Sequence, residues 1–131
     1  MEKDNEINSI KEALLDYSDP IYIVGDMKKS TSPSVVTISA TIPKEELLIK
    51  NNEYPIWYLK VLRNSYKGNS ILCIRDFDKI SIEEQKLFLD IITKQYFSSE
   101  KLPPNLKIII QSENSCQLLP EIEEVIQYYK I

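Results

Sequence analysis

The sequence contains no histidine, and Gly25 and Gly68 are its only glycines. The first absence removes the side chain that most often serves as a general base or metal ligand near neutral pH. Any catalysis would have to run on carboxylates, lysines or hydroxyl groups. The second, with 43% apolar and 27% charged residues, excludes a low-complexity or disordered chain, because few segments lack apolar residues to bury. Cysteine is equally scarce. Cys73 sits inside an apolar run and Cys116 lies far along the chain, without the CxxC or Cys/His spacing of a metal or redox site, so one buried and one loop thiol in a reducing compartment are expected. No apolar run approaches the roughly twenty residues needed to span a bilayer, and the opening MEKDNEINSI is too acidic and polar for a signal peptide. No membrane association is expected, and the expected location is the cytoplasm. Basic excess is missing too: sixteen basic against twenty acidic side chains give a net charge of −4, which argues against sequence-independent binding of nucleic acid.

What is present is enough apolar material, over 131 residues, for one α/β domain with a sizeable core. Ile7, Ile10, Leu14 and Leu15 mark a first helix that Asp19-Pro20 ends. The runs 21-IYIVGD-26, 71-ILCI-74 and 106-LKIII-110 are short, continuous and apolar, as strands covered on both faces are, whereas 35-VVTISATI-42 alternates like a strand nearer an edge. Pro43-Lys44-Glu45-Glu46 opens a helix of about two turns before Asn51-Asn52. From Pro55, the positions Ile56, Leu59, Leu62 and Tyr66 mark a helix face, with Gly68 suited to its C-terminal cap. Ser81 and Glu84 form a capping box for a helix carrying Leu87, Phe88, Ile91 and Ile92. Pro103-Pro104-Asn105 reads as a turn, and 120-PEIEEVIQYYKI-131, with Ile122, Val125, Ile126 and Tyr129 on one side, reads as a final amphipathic helix. Apolar strands separated by amphipathic helices predict a three-layer sandwich with a largely parallel sheet flanked by helices. Ligands of such sheets sit beyond the carboxyl ends of the strands, here Gly25-Asp26, Arg75-Asp76 and Gln111-Ser112.

The order of apolar strand, charged knot Arg75-Asp76-Phe77-Asp78-Lys79, capped helix, Pro-Pro-Asn turn, strand, polar loop and Leu119-Pro120-Glu121-Ile122 resembles the stretch of AAA+ ATPases from the Walker B strand through sensor 1, over roughly residues 56 to 122. At fewer positions, 20-PIYIVGDMKKST-31 resembles the family's first strand and phosphate-binding loop. The resemblance implies a truncated AAA+ or P-loop core. It would carry phosphate contacts onto Lys28, Lys29, Ser30 and Thr31, the Walker B positions onto Arg75, Asp76 and Asp78, and sensor 1 onto Glu113 or Asn114. The departures are chemical. The loop is shorter than GxxxxGK[ST] and lacks its second glycine, so a side chain would obstruct the close backbone approach of a phosphate. Arg75 stands where the family places a magnesium-associated aspartate, and a guanidinium within about 4 Å of a divalent cation is repelled by several kcal/mol at intermediate dielectric. An ion pair of Arg75 with Asp76, Asp78 or a loop carboxylate is the expected local role.

These residues predict a non-catalytic domain, without cofactor or metal, that acts through a protein partner or as a homo-oligomer. The aromatics Trp57, Tyr58, Tyr128 and Tyr129, with Tyr54 and Tyr66 nearby, are interface candidates, since amphipathic rings favour interface hot spots. The alternative is an atypical nucleotide binder, with Lys28, Lys29, Ser30 and Thr31 on phosphate and Asp76 and Asp78, at alternate positions of one strand end, holding a metal. The isoleucine, tyrosine and lysine content also resembles that of small proteins from viruses of hyperthermophilic archaea, which would make the cytoplasm that of a host.

Overall fold

The computed structural model describes residues 20–25 and 33–130, with the side chains of Tyr129 and Lys130 outside the description. The expected helix over 7–17 and the positions Lys28, Lys29, Ser30 and Thr31 lie outside the described residues. Among the described residues no helix is long and apolar enough to cross a membrane.

The continuous apolar runs form strands at the centre of a five-stranded sheet. They are β1 (Ile21–Val24), β3 (Ser70–Arg75) and β6 (Leu106–Ser112), joined by β2 (Val35–Ser39) and β7 (Gln127–Lys130) in the order β2-β3-β6-β1-β7, with parallel pairing throughout. A separate two-stranded hairpin pairs β4 (Tyr96–Phe97) with β5 (Glu100–Lys101). Side chains alternate across the sheet as strand geometry requires. Tyr22, Val24, Val36, Ile38, Leu72, Ile74, Ile108 and Ile110 enter the main core on one face, and Ile21, Ile23, Cys73 and Ile109 are buried on the other.

The described helices pack on the main-core face. They are α1 (Lys44–Leu47), α2 (Ile56–Lys67), α3 (Ile82–Gln85), α4 (Leu89–Thr93) and α5 (Pro120–Glu123), and Leu47, Trp57, Tyr58, Val61, Ile91, Ile92 and Ile122 all belong to that core. The expected capping box is formed: Glu84 N–H donates to Ser81 Oγ at 3.2 Å, and Ser81 N–H donates to Glu84 Oε1 at 3.1 Å. The helix it starts is not continuous, because a tighter 3₁₀ turn over Lys86–Phe88 separates α3 from α4 where Phe88 meets Phe77 with ring centroids 6.0 Å apart.

Three expectations are corrected. Helix α1 is a single turn, and Lys50 and Glu53 pair across Asn51-Asn52, both at positive φ, in a tight turn that asparagine tolerates. The chain does not end on a long helix: α5 stops at Glu123, and β7 adds to the sheet beside β1, beginning where Gln127 N–H donates to Pro20 O at 2.8 Å. On α2 the burial is the reverse of the marked stripe. Trp57, Tyr58 and Val61 face the core, while Ile56, Leu59, Leu62 and Tyr66 are exposed. The turn expected at Pro103-Pro104-Asn105 forms, and Asn105 Nδ2 donates to Ser65 O and Gly68 O at 2.8 Å each, tying it to the end of α2.

Candidate functional site at the strand ends

The chain leaves β1 toward β2 on one side of the sheet order and leaves β6 toward β7 on the other. Connections from these neighbouring strands therefore diverge at their carboxyl ends, which is where an open parallel sheet forms a crevice. Gly25 closes β1 there. Its φ of 141° lies where L side chains rarely sit, and its N–H donates to Ser112 O at 2.8 Å.

One side chain ties the crevice together. Gln111, fully buried near the end of β6, donates from Nε2 to Gly25 O at 2.8 Å and accepts at Oε1 from Asp76 N–H at 3.2 Å. Its amide thus joins the ends of β1, β3 and β6. This fixes Asp76 in the left-handed conformation, φ 61° and ψ 35°, which aspartate adopts more readily than most residues.

The structure brings Asp76, Asp78, Glu113 and Asn114 into one cluster around Lys79. Asp76 Oδ1 lies 3.4 Å from Lys79 Nζ, Asp76 Oδ2 accepts from Ser39 Oγ at 3.4 Å, and Glu113 Oε1 lies 4.0 Å from the same ammonium. Asn114 N–H donates to Asp78 Oδ2 at 3.2 Å, while Asp78 Oδ1 is buried with no hydrogen-bond partner among the described residues. Glu113 and Asn114 themselves are exposed. The strand-end geometry assumed for a carboxylate pair is not realised: β3 stops at the half-buried Arg75, and the next residues turn through a 3₁₀ helix, Phe77–Lys79, so Asp76 and Asp78 do not share one strand face. Asp76 pairs with Lys79. Among the described residues no group of three His, Cys, Asp or Glu side chains is arranged to hold a metal ion.

Beside the crevice, Tyr22 Oη lies 3.3 Å from Cys116 Sγ, and burial, reinforced by that hydrogen bond, pushes its phenol up to about 12. The neighbouring Tyr128 stands edge-on to Tyr22 at 5.7 Å and is 57% exposed. Trp57 and Tyr58 are not surface residues; each is 4% exposed and packs on Phe97, at 4.8 and 5.2 Å, and Trp57 Nε1–H donates to Leu47 O at 3.0 Å. They belong to the core because the α2 face they share turns toward the sheet.

Two further features lie away from the crevice. The exposed face of α2 carries Ile56, Leu59 and Tyr66 at 72, 51 and 95% exposure. Along the edge of β2, two clefts of about 460 and 410 Å³ run between that strand and α2, sharing Val36, Thr37 and Lys60. No sequence motif marks Gln111, and the helical spacing of Ile56, Leu59, Leu62 and Tyr66 predicts burial on the side of α2 that is exposed. No model of a known protein family matches the chain, and no curated protein matches its sequence.

Proposed function

We propose that this chain is a non-catalytic α/β module, a degenerate relative of AAA+ and P-loop ATPases, that works through protein contacts, either with a partner protein or with further copies of itself. The observation that carries this reading is the apolar stripe on α2. An exposed Ile56, Leu59, Leu62 and Tyr66 on one helix make an apolar surface of the kind that marks contact sites rather than scattered surface residues. The strand-end cluster supports the absence of catalysis. Asp76 is engaged by Lys79 and Ser39, and the Gln111 amide is used at both ends by backbone, which favours structural roles for both.

The nucleotide-binding alternative rests on one observation, that the connection after Gly25 leaves from the divergent crevice. Thermal unfolding with and without millimolar Mg-ATP or Mg-GTP separates the two. A ligand at about a hundred times its dissociation constant adds roughly 2.7 kcal/mol, a shift of several degrees; the module reading expects none. Light scattering at two protein concentrations, on the natural chain and on a Leu59→Glu/Tyr66→Glu variant, tests self-assembly. Both residues are exposed, so the variant should keep its unfolding free energy within about 0.5 kcal/mol while losing any concentration-dependent mass.

A further inference from the structure

Among the described residues, no strand pairs with the outer edge of β2. Ile71 N–H donates to Ser34 O and Ala40 N–H donates to Arg75 O, so the even-numbered residues of β2 face β3 in the parallel ladder. Val35 and Thr37 consequently turn both their N–H and C=O groups outward, and no described residue pairs with them. Proteins normally blunt such an edge with charge, proline or a covering element, because it is a template for strand addition. Here it is bordered by a groove instead. At its N-terminal end the groove is lined by Lys60, Arg63 and Lys67, on successive turns of α2 and all exposed, with no carboxylate among its lining residues. At the other end it widens onto the half-buried Ile42 and Leu48, with Glu45, Glu46 and Glu53 also among its lining residues, so the groove is basic at one end and acidic-rimmed at the other.

We infer that this edge binds an extended acidic peptide segment of a partner protein by strand addition, its backbone on Val35 and Thr37, its carboxylates over Lys60, Arg63 and Lys67, away from the glutamates' like charge, and its uncharged apolar end over Ile42 and Leu48. The inference rests on the protein-contact reading above and names the partner's chemistry. Main-chain hydrogen bonds supply affinity in this mode, and the pockets beside the edge supply selectivity. A second copy is the poorer occupant. Pairing two β2 edges antiparallel across a two-fold axis would set the two α2 helices side by side with their lysine and arginine ridges opposed, and like charges so juxtaposed disfavour the contact.

The test uses fluorescently labelled synthetic peptides with a glutamate-rich half and a valine/threonine half, made in both orders, with lysine-for-glutamate versions and a single-stranded oligonucleotide as controls. Binding is read by anisotropy and by amide hydrogen exchange. One acidic peptide order should bind, the lysine versions should not, and Val35 and Thr37 amides should become protected. Lys60→Glu/Arg63→Glu/Lys67→Glu should weaken binding by roughly tenfold or more. Equal binding of both charge types, equal binding of the oligonucleotide, binding without protection at β2, or no binding at all would each overturn the inference. Because the α2 stripe is tested separately by light scattering, loss of the peptide site with retained self-assembly would remove this inference and leave the module reading standing.

Discussion

Gln111 is the side chain on which the geometry of the strand ends depends. Its two partners are 86 and 35 residues away along the chain, so replacing it by leucine leaves Gly25 O and Asp76 N–H unsatisfied in a part-buried site. The expected cost is about 2 kcal/mol in urea unfolding, with Asp76 losing the contact that holds its left-handed backbone. Two other buried groups give the chain a distinctive alkaline limit. Burial pushes the Cys73 thiol up to about 12, against the opposing pull of Arg75, and the Tyr22 phenol also stands near 12. In the unfolded chain these groups ionise near 9.0 and 10.0, so above those values the unfolded state binds fewer protons than the folded one. Stability is therefore unaffected by them at neutral pH and declines as pH rises, first through Cys73 from about pH 9 and more steeply once Tyr22 joins near pH 10, by up to about 1.4 kcal/mol per pH unit for each proton. Urea titrations from pH 8 to 11 should show this, and Cys73→Val should delay the onset to about pH 10. The charged knot at 75–79 was legible from sequence as the end of a buried strand. Its wiring was not, because Ser39, Gln111 and Asn114 reach it from distant segments and a glutamine in a strand carries no local signature of burial.

Among the elements, those with a local chemical cause were readable: the capping box at Ser81 and Glu84, the apolar runs of β1, β3 and β6, and the turn at Asn105. Periodicity failed where tertiary partners decided the outcome. Residues 120–131 fit a helical stripe, but β1 would otherwise present an unpaired edge, and the β7 ladder satisfies it. On α2 the spacing of Ile56, Leu59, Leu62 and Tyr66 suggested a core face, while the larger rings of Trp57 and Tyr58 on the opposite side took the core with Phe97. The β4–β5 hairpin had no expected signal, since its two-residue turn is Ser98-Ser99 at φ 48° and 74° instead of an asparagine–glycine pair. Serine is held there against its own backbone preference. Ser98→Asn/Ser99→Gly should therefore raise stability by about 1 kcal/mol, measured as an increase in the urea midpoint at unchanged slope. A decrease would mean that the serine side chains contribute more to the turn than the left-handed backbone costs.

At the scale of the whole molecule, the sheet order divides the strands into those with two hydrogen-bonded neighbours and those with one. β3, β6 and β1 are flanked on both sides, and their residues are buried on both faces; among the described residues, β2 and β7 each rest on a single neighbour. Opening an edge strand breaks one ladder and exposes part of one face, whereas freeing a β6 amide requires separating β3 or β1 from the centre of the sheet. Native-state hydrogen exchange should follow this hierarchy. The slowest amides are expected in Leu72–Ile74 and Ile108–Gln111, exchanging only through global unfolding, so their rates should track the unfolding free energy measured with denaturant. The ladder-bonded amides of β2 and β7 should exchange through smaller openings that are insensitive to denaturant. The contrast between the two edges is itself informative. On β2 the amides of Val35 and Thr37 point away from the ladder and should exchange faster than those of Val36 and Ile38, which face β3, so a partner that lays a strand along that edge would protect the former pair most within the strand. Slow exchange at Val35 and Thr37 in the isolated protein would mean instead that the edge is already covered.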